Sequence, residues 1–268
     1  GEAPFHIVTP AMHKSRREVS ELFSEKLGVA PTDDVEQLTA TARTALRQRF
    51  TSADMGISGV NFGVAETGTI VVVENEGNAR LSMSMPRVHI ALMGIEKVIP
   101  RLQDLPVFLK LLTRSGTGQK ITSYINLISG PRRKDERDGP DRFVLVLVDN
   151  GRSRIWKDPF LRQTLSCIRC GACLNACPVF QRIGGHAYDS VYQGPIGAIL
   201  TPQLLSAAEA GQHPFASSLC GACQEVCPVK IEIPEILLHL RGEIQSRHPD
   251  SFLEKLSMRI WCWFNRSD

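Results

Sequence analysis

Seven of the eight cysteines fall into two blocks that repeat one another along the chain. Cys167, Cys170, Cys173 and Cys177 are followed by Pro178, and Cys220, Cys223 and Cys227 by Pro228. A shift of 50 positions superposes the first block on the second, except that Cys167 falls on Ser217. The run C-x2-C-x2-C-x3-C-P is the ligand spacing of two-cluster ferredoxins, in which the fourth cysteine serves the other cluster. Gly171 and Gly221 each follow a cysteine and permit the unusual backbone angles that a ligand loop needs. The prolines fix the chain direction just after the last ligand. The spacing predicts two iron–sulfur clusters, electron-transfer chemistry, and one missing cysteine ligand.

Two other uses of cysteine fit less well. Disulfide frameworks belong to small secreted domains, and structural zinc takes four ligands in two pairs. The crossed ferredoxin pattern assigns Cys167, Cys170, Cys173 and Cys227 to cluster one. Cys177, Cys220 and Cys223 then hold cluster two, with a weak or open corner at Ser217. Cluster one is expected to be 4Fe-4S, and cluster two either 4Fe-4S or 3Fe-4S. The fourth iron of cluster two would take Ser217, another side chain such as Cys262 or His213, water or a substrate. Arg162, Arg169, Arg182 and Lys230 lie near these ligands in sequence. They are surface cations or, if close to a cluster, raise its potential.

A length of 268 residues suggests one or two domains, and a net charge of +3 without a basic stripe or stacking aromatics argues against nucleic acid. The cationic run Arg132-Arg133-Lys134 is broken at once by Asp135 and Glu136 and reads as a solvated loop. No apolar run approaches the ~20 residues of a membrane helix. Reduced cysteines in ligand spacing, without a secretory signal, point to a cytoplasmic location.

Helices are expected from Ser15 to Leu27, closed by Gly28, and from Pro31 to Phe50, with Asp33 and Glu36 at capping-box spacing. Another is expected from Pro100 to Leu112. Thr69 to Val73, Val88 to Met93 and Arg142 to Val148 read as strands, the last apolar enough to be buried on both faces. This alternation argues an α/β layer over residues 1–154. No strand pattern follows Trp156, and Pro202 to Ala210 looks helical, so residues 155–246 read as an α-helical ferredoxin-type domain. Residues 247–268 form an amphipathic terminal segment. It packs on its own domain, with Cys262 a buried thiol, or docks on a partner or peripherally on a membrane. Glu66, Asn75 and Glu76, in glycine-rich turns, line a polar pocket or simply make those turns. His89, on a β-like run, reads as a packed core histidine.

The run Gly56 to Arg80, with Pro86-Arg87-Val88-His89-Ile90, Gly94-Ile95-Glu96-Lys97, Gly118-Gln119, Gly130-Pro131-Arg132 and Asp149-Asn150-Gly151-Arg152, resembles the lactate-utilisation (LUD) domain. Joined to the cysteine blocks, the chain from His6 to Arg241 resembles the lactate-utilisation B family, without that family's N-terminal stretch. The resemblance implies an iron–sulfur subunit working with companion proteins A and C to oxidise L-lactate to pyruvate. It also implies an α/β domain similar to the CoA-transferase and ribose-phosphate-isomerase group. The helical module would be similar to that of succinate dehydrogenase. A self-contained iron–sulfur enzyme, binding a hydroxy acid at an open iron or a polar pocket, is the alternative, as is a redox sensor.

Overall fold

The computed structural model describes residues 2–205, 211–247 and 252–266. Helix α1 (Arg16–Leu27) has a reciprocal cap, in which Ser15 Oγ accepts from the Glu18 N–H and the Glu18 carboxylate accepts from the Ser15 N–H. Gly28, at φ 67°, closes it. Helix α2 (Val35–Ser52) starts later than its sequence pattern implied. Asp34, not Asp33, is the cap, because its carboxylate reaches the N–H groups of Glu36 at 2.8 Å and Gln37 at 3.4 Å.

The α/β part continues with β1 (Met55–Gly59), β2 (Phe62–Val64), β3 (Thr69–Glu74), α3 (Asn78–Ser84), β4 (Val88–Gly94), β5 (Val98–Ile99), α4 (Leu105–Thr117), β6 (Tyr124–Ile128) and β7 (Arg142–Val148). It forms two sheets, a parallel one in the order β1-β4-β7 and a mixed one in the order β5-β2-β3-β6. The helix expected from Pro100 begins instead at Leu105, after a 3-10 turn, with Pro106 in its first turn, where a missing N–H costs nothing. Strands β2 and β5 are too short to show a period.

Strand β7 corrects an expectation. Its apolar run reads as a buried strand, yet it lies at a sheet edge paired only with β4, and Val144 and Leu147 are 46% and 57% exposed. Hydrophobicity records what a strand can bury, not whether a layer covers it.

Beyond Val148 no described residue is in a strand. The helices are α5 (Arg152–Lys157), α6 (Ala172–Ala176), α7 (Pro178–Ile183), α8 (Gly194–Leu204), α9 (Ala222–Glu225), α10 (Ile233–Arg247) and α11 (Phe252–Phe264). Of the helix read from Pro202 to Ala210, residues 202–204 end α8, which begins at Gly194, and residues 206–210 lie outside the described residues. Its flat pattern hid it, since nearly every side chain of α8 is buried rather than one face.

Two apolar cores meet at the first cysteine block. One packs Leu174, Phe180, Ile196, Ile199, Ile236 and Leu237 around Cys177, Cys223 and Cys227. The other packs Phe62, Val64, Val71, Ile99 and Leu112 with Ile168 and Cys170. Residues from the start of the chain cross to the helical side, where Phe5 and Ile7 join the first core. Gln193 Nε2 donates to the Pro4 carbonyl there at 2.9 Å.

The terminal segment also departs from expectation. Trp261 and Trp263 of α11 are 61% and 68% exposed, and Cys262 is exposed rather than a buried thiol. An amphipathic pattern shows a helix has an apolar face without saying what covers it.

Close packing of α8 yields a test. A Cβ at Gly197 would lie 1.8 Å from the Tyr192 carbonyl oxygen, a backbone atom that cannot turn aside. Gly197→Ala should destabilise the helical domain by about 1–3 kcal/mol or more, read as a lower midpoint in denaturant unfolding, whereas Gly242→Ala, with open space at its Cβ, should not.

Candidate metal centre

The two cysteine blocks repeat in backbone as well as in sequence. Arg169 and Leu219, each just before a cysteine, have φ of 64° and 57°, and Gly171 and Gly221, each just after it, 78° and 84°. Non-glycine residues in this region are strained, and such strain collects at functional loops. At Gly171 a side chain is excluded twice, by φ and because a Cβ would lie 2.8 Å from Cε1 of buried His6.

The amide hydrogen bonds repeat too. The Arg169 N–H points at Cys167 Sγ (3.4 Å), and the Leu219 N–H points at Ser217 Oγ (3.1 Å). Ser217 Oγ thus stands where the repeat places a ligand sulfur. Cys177 Sγ accepts from the Phe180 N–H at 3.5 Å and Cys227 Sγ from the Ile231 N–H at 3.4 Å. Such donors stabilise negative sulfur.

All seven thiols are free of disulfides. Cys170 senses the charges of Cys167 and Cys227 across a long loop, and Cys223 senses those of Cys177 and Cys220. Cys173 faces Cys167, Cys170 and Cys223, between the two groups. Among the described residues no three cysteine sulfurs lie within 4.8 Å of one another. A tetrahedral zinc with ~2.3 Å bonds would need sulfurs about 3.8 Å apart, so the donor set fits an inorganic core with several metals rather than a single ion.

Burial pushes the Cys170, Cys173 and Cys223 thiols up, Cys223 to about 11. Exposed Cys220 moves the other way, held down by the Ala222 N–H and the Ser218 side chain. Buried thiolates need positive charge nearby.

The α/β domain supplies positive charge from residues that the sequence offered only as part of its LUD-like runs. Lys97 Nζ donates to the Cys167 carbonyl at 3.1 Å, and burial, with Arg169 next in weight, lowers the lysine to about 8. Beside it, Glu96 takes Arg152 at 2.6 Å and Arg169 at 3.4 Å, and its side chain is only 3% exposed. Arg169 also lies over the Tyr192 ring at 4.7 Å. Of the cations read from sequence, Arg169 is in this network, whereas Arg162, Arg182 and Lys230 are exposed. Lys97 and Arg152 are distant in sequence from Cys167, and no local pattern links them.

Two cavities flank the first block. One, of about 480 Å³, has Phe62, Phe108, Trp156, Lys97 and Arg152 around Cys167. The other, of about 260 Å³, brings Asn75 and Glu76 together with Gln119, Arg169 and Cys170. Glu66 is not among the residues lining either, and its carboxylate accepts from the Leu102 N–H at 3.0 Å. Asn75 mainly ties turns together, since Oδ1 accepts from the Ser123 N–H at 3.0 Å and Nδ2 donates to Gln119 Oε1 at 3.0 Å. Glu76 accepts from the Asn75 N–H at 3.1 Å. His89 is fully buried, its Nε2 2.8 Å from Ser58 Oγ. His213 Nε2 lies 2.9 Å from the Tyr188 carbonyl.

Comparison with known proteins fits this arrangement. The profile of the LUD domain matches residues 4–148, more than half of the chain. The chain belongs to the LUD domain family. A 4Fe-4S dicluster domain profile matches residues 163–231, the stretch that holds all seven repeated cysteines, so the LUD domain is followed by an iron–sulfur domain. The chain is similar to lactate utilization protein B of Bacillus thuringiensis (strain Al Hakam), Bacillus cereus (strain AH187) and Bacillus anthracis (strain CDC 684), at 48% identity in each case. Each match covers 97% of this chain and 55% of the relative, so the chain spans about half the length of these proteins. The crystal structure of a DUF162 family protein from Deinococcus radiodurans matches with a TM-score of 0.30 and 20% identity, over 38% of this chain and 57% of that one. No described helix is long and apolar enough to cross a membrane.

The thiol environments predict an order of reactivity. In the metal-free chain at neutral pH, iodoacetamide should alkylate Cys220 well before Cys170, Cys173 and Cys223, as read by peptide mass spectrometry over time. Equal rates at these four would mean that the loops do not hold this geometry without metal.

Proposed function

We propose that this chain is the iron–sulfur electron-transfer part of a cytoplasmic multi-protein system that oxidises L-lactate to pyruvate, acting with companion proteins A and C. Residues 1–154 would form the LUD unit, within the CoA-transferase and ribose-phosphate-isomerase fold group. Residues 155–246 would form a helical dicluster unit, and 247–268 a terminal segment. The observation that carries the reading is the packing of a dicluster cysteine set into the core of a LUD domain, through Ile168 and Cys170. The 48% identity to proteins named lactate utilization protein B supports lactate as the substrate.

Two clusters are proposed, one 4Fe-4S on Cys167, Cys170, Cys173 and Cys227, the other on Cys177, Cys220 and Cys223 with its corner at Ser217. What supports the crossing is the pairing of Cys170 with Cys227 and of Cys223 with Cys177. Bound clusters supply one-electron transfer, and the chain's own part is to bury the thiols, direct amides at them and place Lys97, Arg152 and Arg169 beside the first set.

The purified, cluster-loaded chain should not reduce a dye with L-lactate alone, and should do so once proteins A and C are added. No turnover with the companions present would overturn the lactate reading. Turnover by the chain alone would favour a self-contained enzyme, with the cavity of about 260 Å³ beside Cys170 as its site.

The crossing predicts that Cys227→Ala damages the cluster held by the first block and spares the signal lost on Cys220→Ala. Loss of one and the same electron paramagnetic resonance signal in both variants would refute it.

Ser217 offers a hydroxyl, a poor soft ligand that stays protonated at neutral pH. Mild ferricyanide oxidation of the wild type should therefore give the paramagnetic 3Fe-4S signal from the second cluster only. Ser217→Cys should abolish that signal and lower the midpoint potential by adding negative charge. An unchanged potential, with no three-iron signal in the wild type, would mean that another group already completes the corner.

A further inference from the structure

Away from the cysteines, three side chains of a different donor chemistry converge where the start of the chain lies against the iron–sulfur domain. Glu2, His13 and His186 each offer a ligand atom, and these atoms lie within 4.8 Å of one another. Glu2 comes from the extended first residues, His13 from the turn before α1, and His186 from the 3-10 turn after α7. Nothing local in the sequence connects them.

The framework that holds them is closely packed. The Phe5 ring stacks on His13 at 5.1 Å and meets His186 edge-on at 5.4 Å, and the two imidazoles are 4.9 Å apart. A Cβ on Gly185 would lie 1.6 Å from the Phe5 carbonyl oxygen, so the two segments touch backbone to backbone. The Gln193 contact to Pro4 fastens the same stretch.

The hydrogen bond of His186 resembles that of a metal ligand. A ligating histidine usually gives its second ring nitrogen to a carbonyl or carboxylate, which sets ring orientation and tautomer. His186 Nε2 lies 2.9 Å from the Ala3 carbonyl oxygen, leaving Nδ1 with its lone pair. His13 Nε2 lies 2.8 Å from Glu2 Oε1, while Lys14 Nζ holds Glu2 Oε2 at 2.8 Å. Lys14 keeps the carboxylate ionised; both oxygens are engaged, so a metal would take the place of the proton between His13 Nε2 and Glu2 Oε1 while Lys14 stays on Oε2. His13 Nδ1 is buried without a partner. Bringing two imidazoles and a carboxylate onto one ion at ~2.0–2.2 Å would place their donor atoms about 3.3 Å apart, a short movement from where they stand.

We propose that Glu2, His13 and His186 bind one divalent first-row transition metal ion, separate from the iron–sulfur clusters. Two nitrogens and one oxygen suit zinc or ferrous iron rather than calcium or magnesium. Three protein ligands leave a coordination position open, the arrangement of catalytic rather than structural zinc. A cavity of about 360 Å³ adjoins the site, lined by Glu2, His186, Asp189 and Ser190 among others. Asp189, at φ 42°, is held in a strained conformation on its wall. The site takes an ion and leaves room on it for a small oxygen-donor ligand.

Zinc is the probe, because the clusters already supply iron. The cluster-loaded chain, equilibrated with Zn2+ by dialysis and passed through a desalting column, should retain one zinc per chain. Zinc-edge X-ray absorption should show nitrogen and oxygen neighbours with no sulfur. His13→Ala, His186→Ala and the milder Glu2→Gln should each weaken zinc binding by at least the ~10–100-fold that loss of even an outer partner costs. Iron content and the cluster signals should stay unchanged. Retention of no zinc by the wild type would overturn the proposal. So would sulfur in the zinc shell, which would mean capture by cluster cysteines, or equal zinc affinity in Glu2→Gln, which would mean adventitious histidine binding only.

Discussion

Taking several thiolates out of water is the constraint on which the rest of this structure depends. An isolated buried anion is expensive, and burial first, then the neighbouring cysteines, raises Cys170, Cys173 and Cys223. The loops answer it locally with backbone amides aimed at sulfur, which requires left-handed turns at Arg169, Gly171, Leu219 and Gly221. Small residues then become obligatory, as at Gly171 against His6.

The second answer comes from the other domain. Glu96 of that domain takes Arg152 and, from the first cysteine loop, Arg169, while Lys97 reaches the Cys167 carbonyl beside them. Three cations against one anion would be costly in a dry interface, and the negative charge of a thiolate-bound cluster offsets the excess. In the second set Cys220 is exposed, and the carboxylate of Glu225 acts on it in the opposite sense. The two halves of the iron–sulfur domain therefore present unequal electrostatic surroundings. Part of the difference originates in Glu96, Lys97 and Arg152 of the α/β domain and part in Arg169 of the cysteine motif itself.

The apolar surface left uncovered has its own logic. The sheet β1-β4-β7 is parallel, a type usually covered on both faces, yet Ile57 and Leu147 are 60% and 57% exposed. Helix α11 likewise shows its tryptophans. Strand β7 and helix α11 read correctly as apolar elements in the sequence and incorrectly as covered ones, because burial is a property of the neighbour and not of the segment.

Local chemistry made much of this protein legible before any fold was considered. The capped helix from Arg16, the strands at Thr69, Val88 and Arg142, the change to a helical second half and the repeat of seven cysteines all follow from short-range rules of spacing, capping and periodicity. The serine that breaks the repeat was equally plain, and its hydroxyl does accept the amide hydrogen bond that a sulfur accepts in the first block. The tertiary structure alone decided what stands across from these residues. It set Asn75 and Glu76 beside Arg169 and Cys170 while sending Glu66 to cap another turn. It put Lys97 on the Cys167 carbonyl and gathered Glu2 and His13 from the start of the sequence with His186 from the cysteine-rich part. Sequence determines which groups can bind or carry charge because those are properties of single side chains and near neighbours. Which of them meet depends on packing between segments about 70 to 180 residues apart, and no local pattern encodes that.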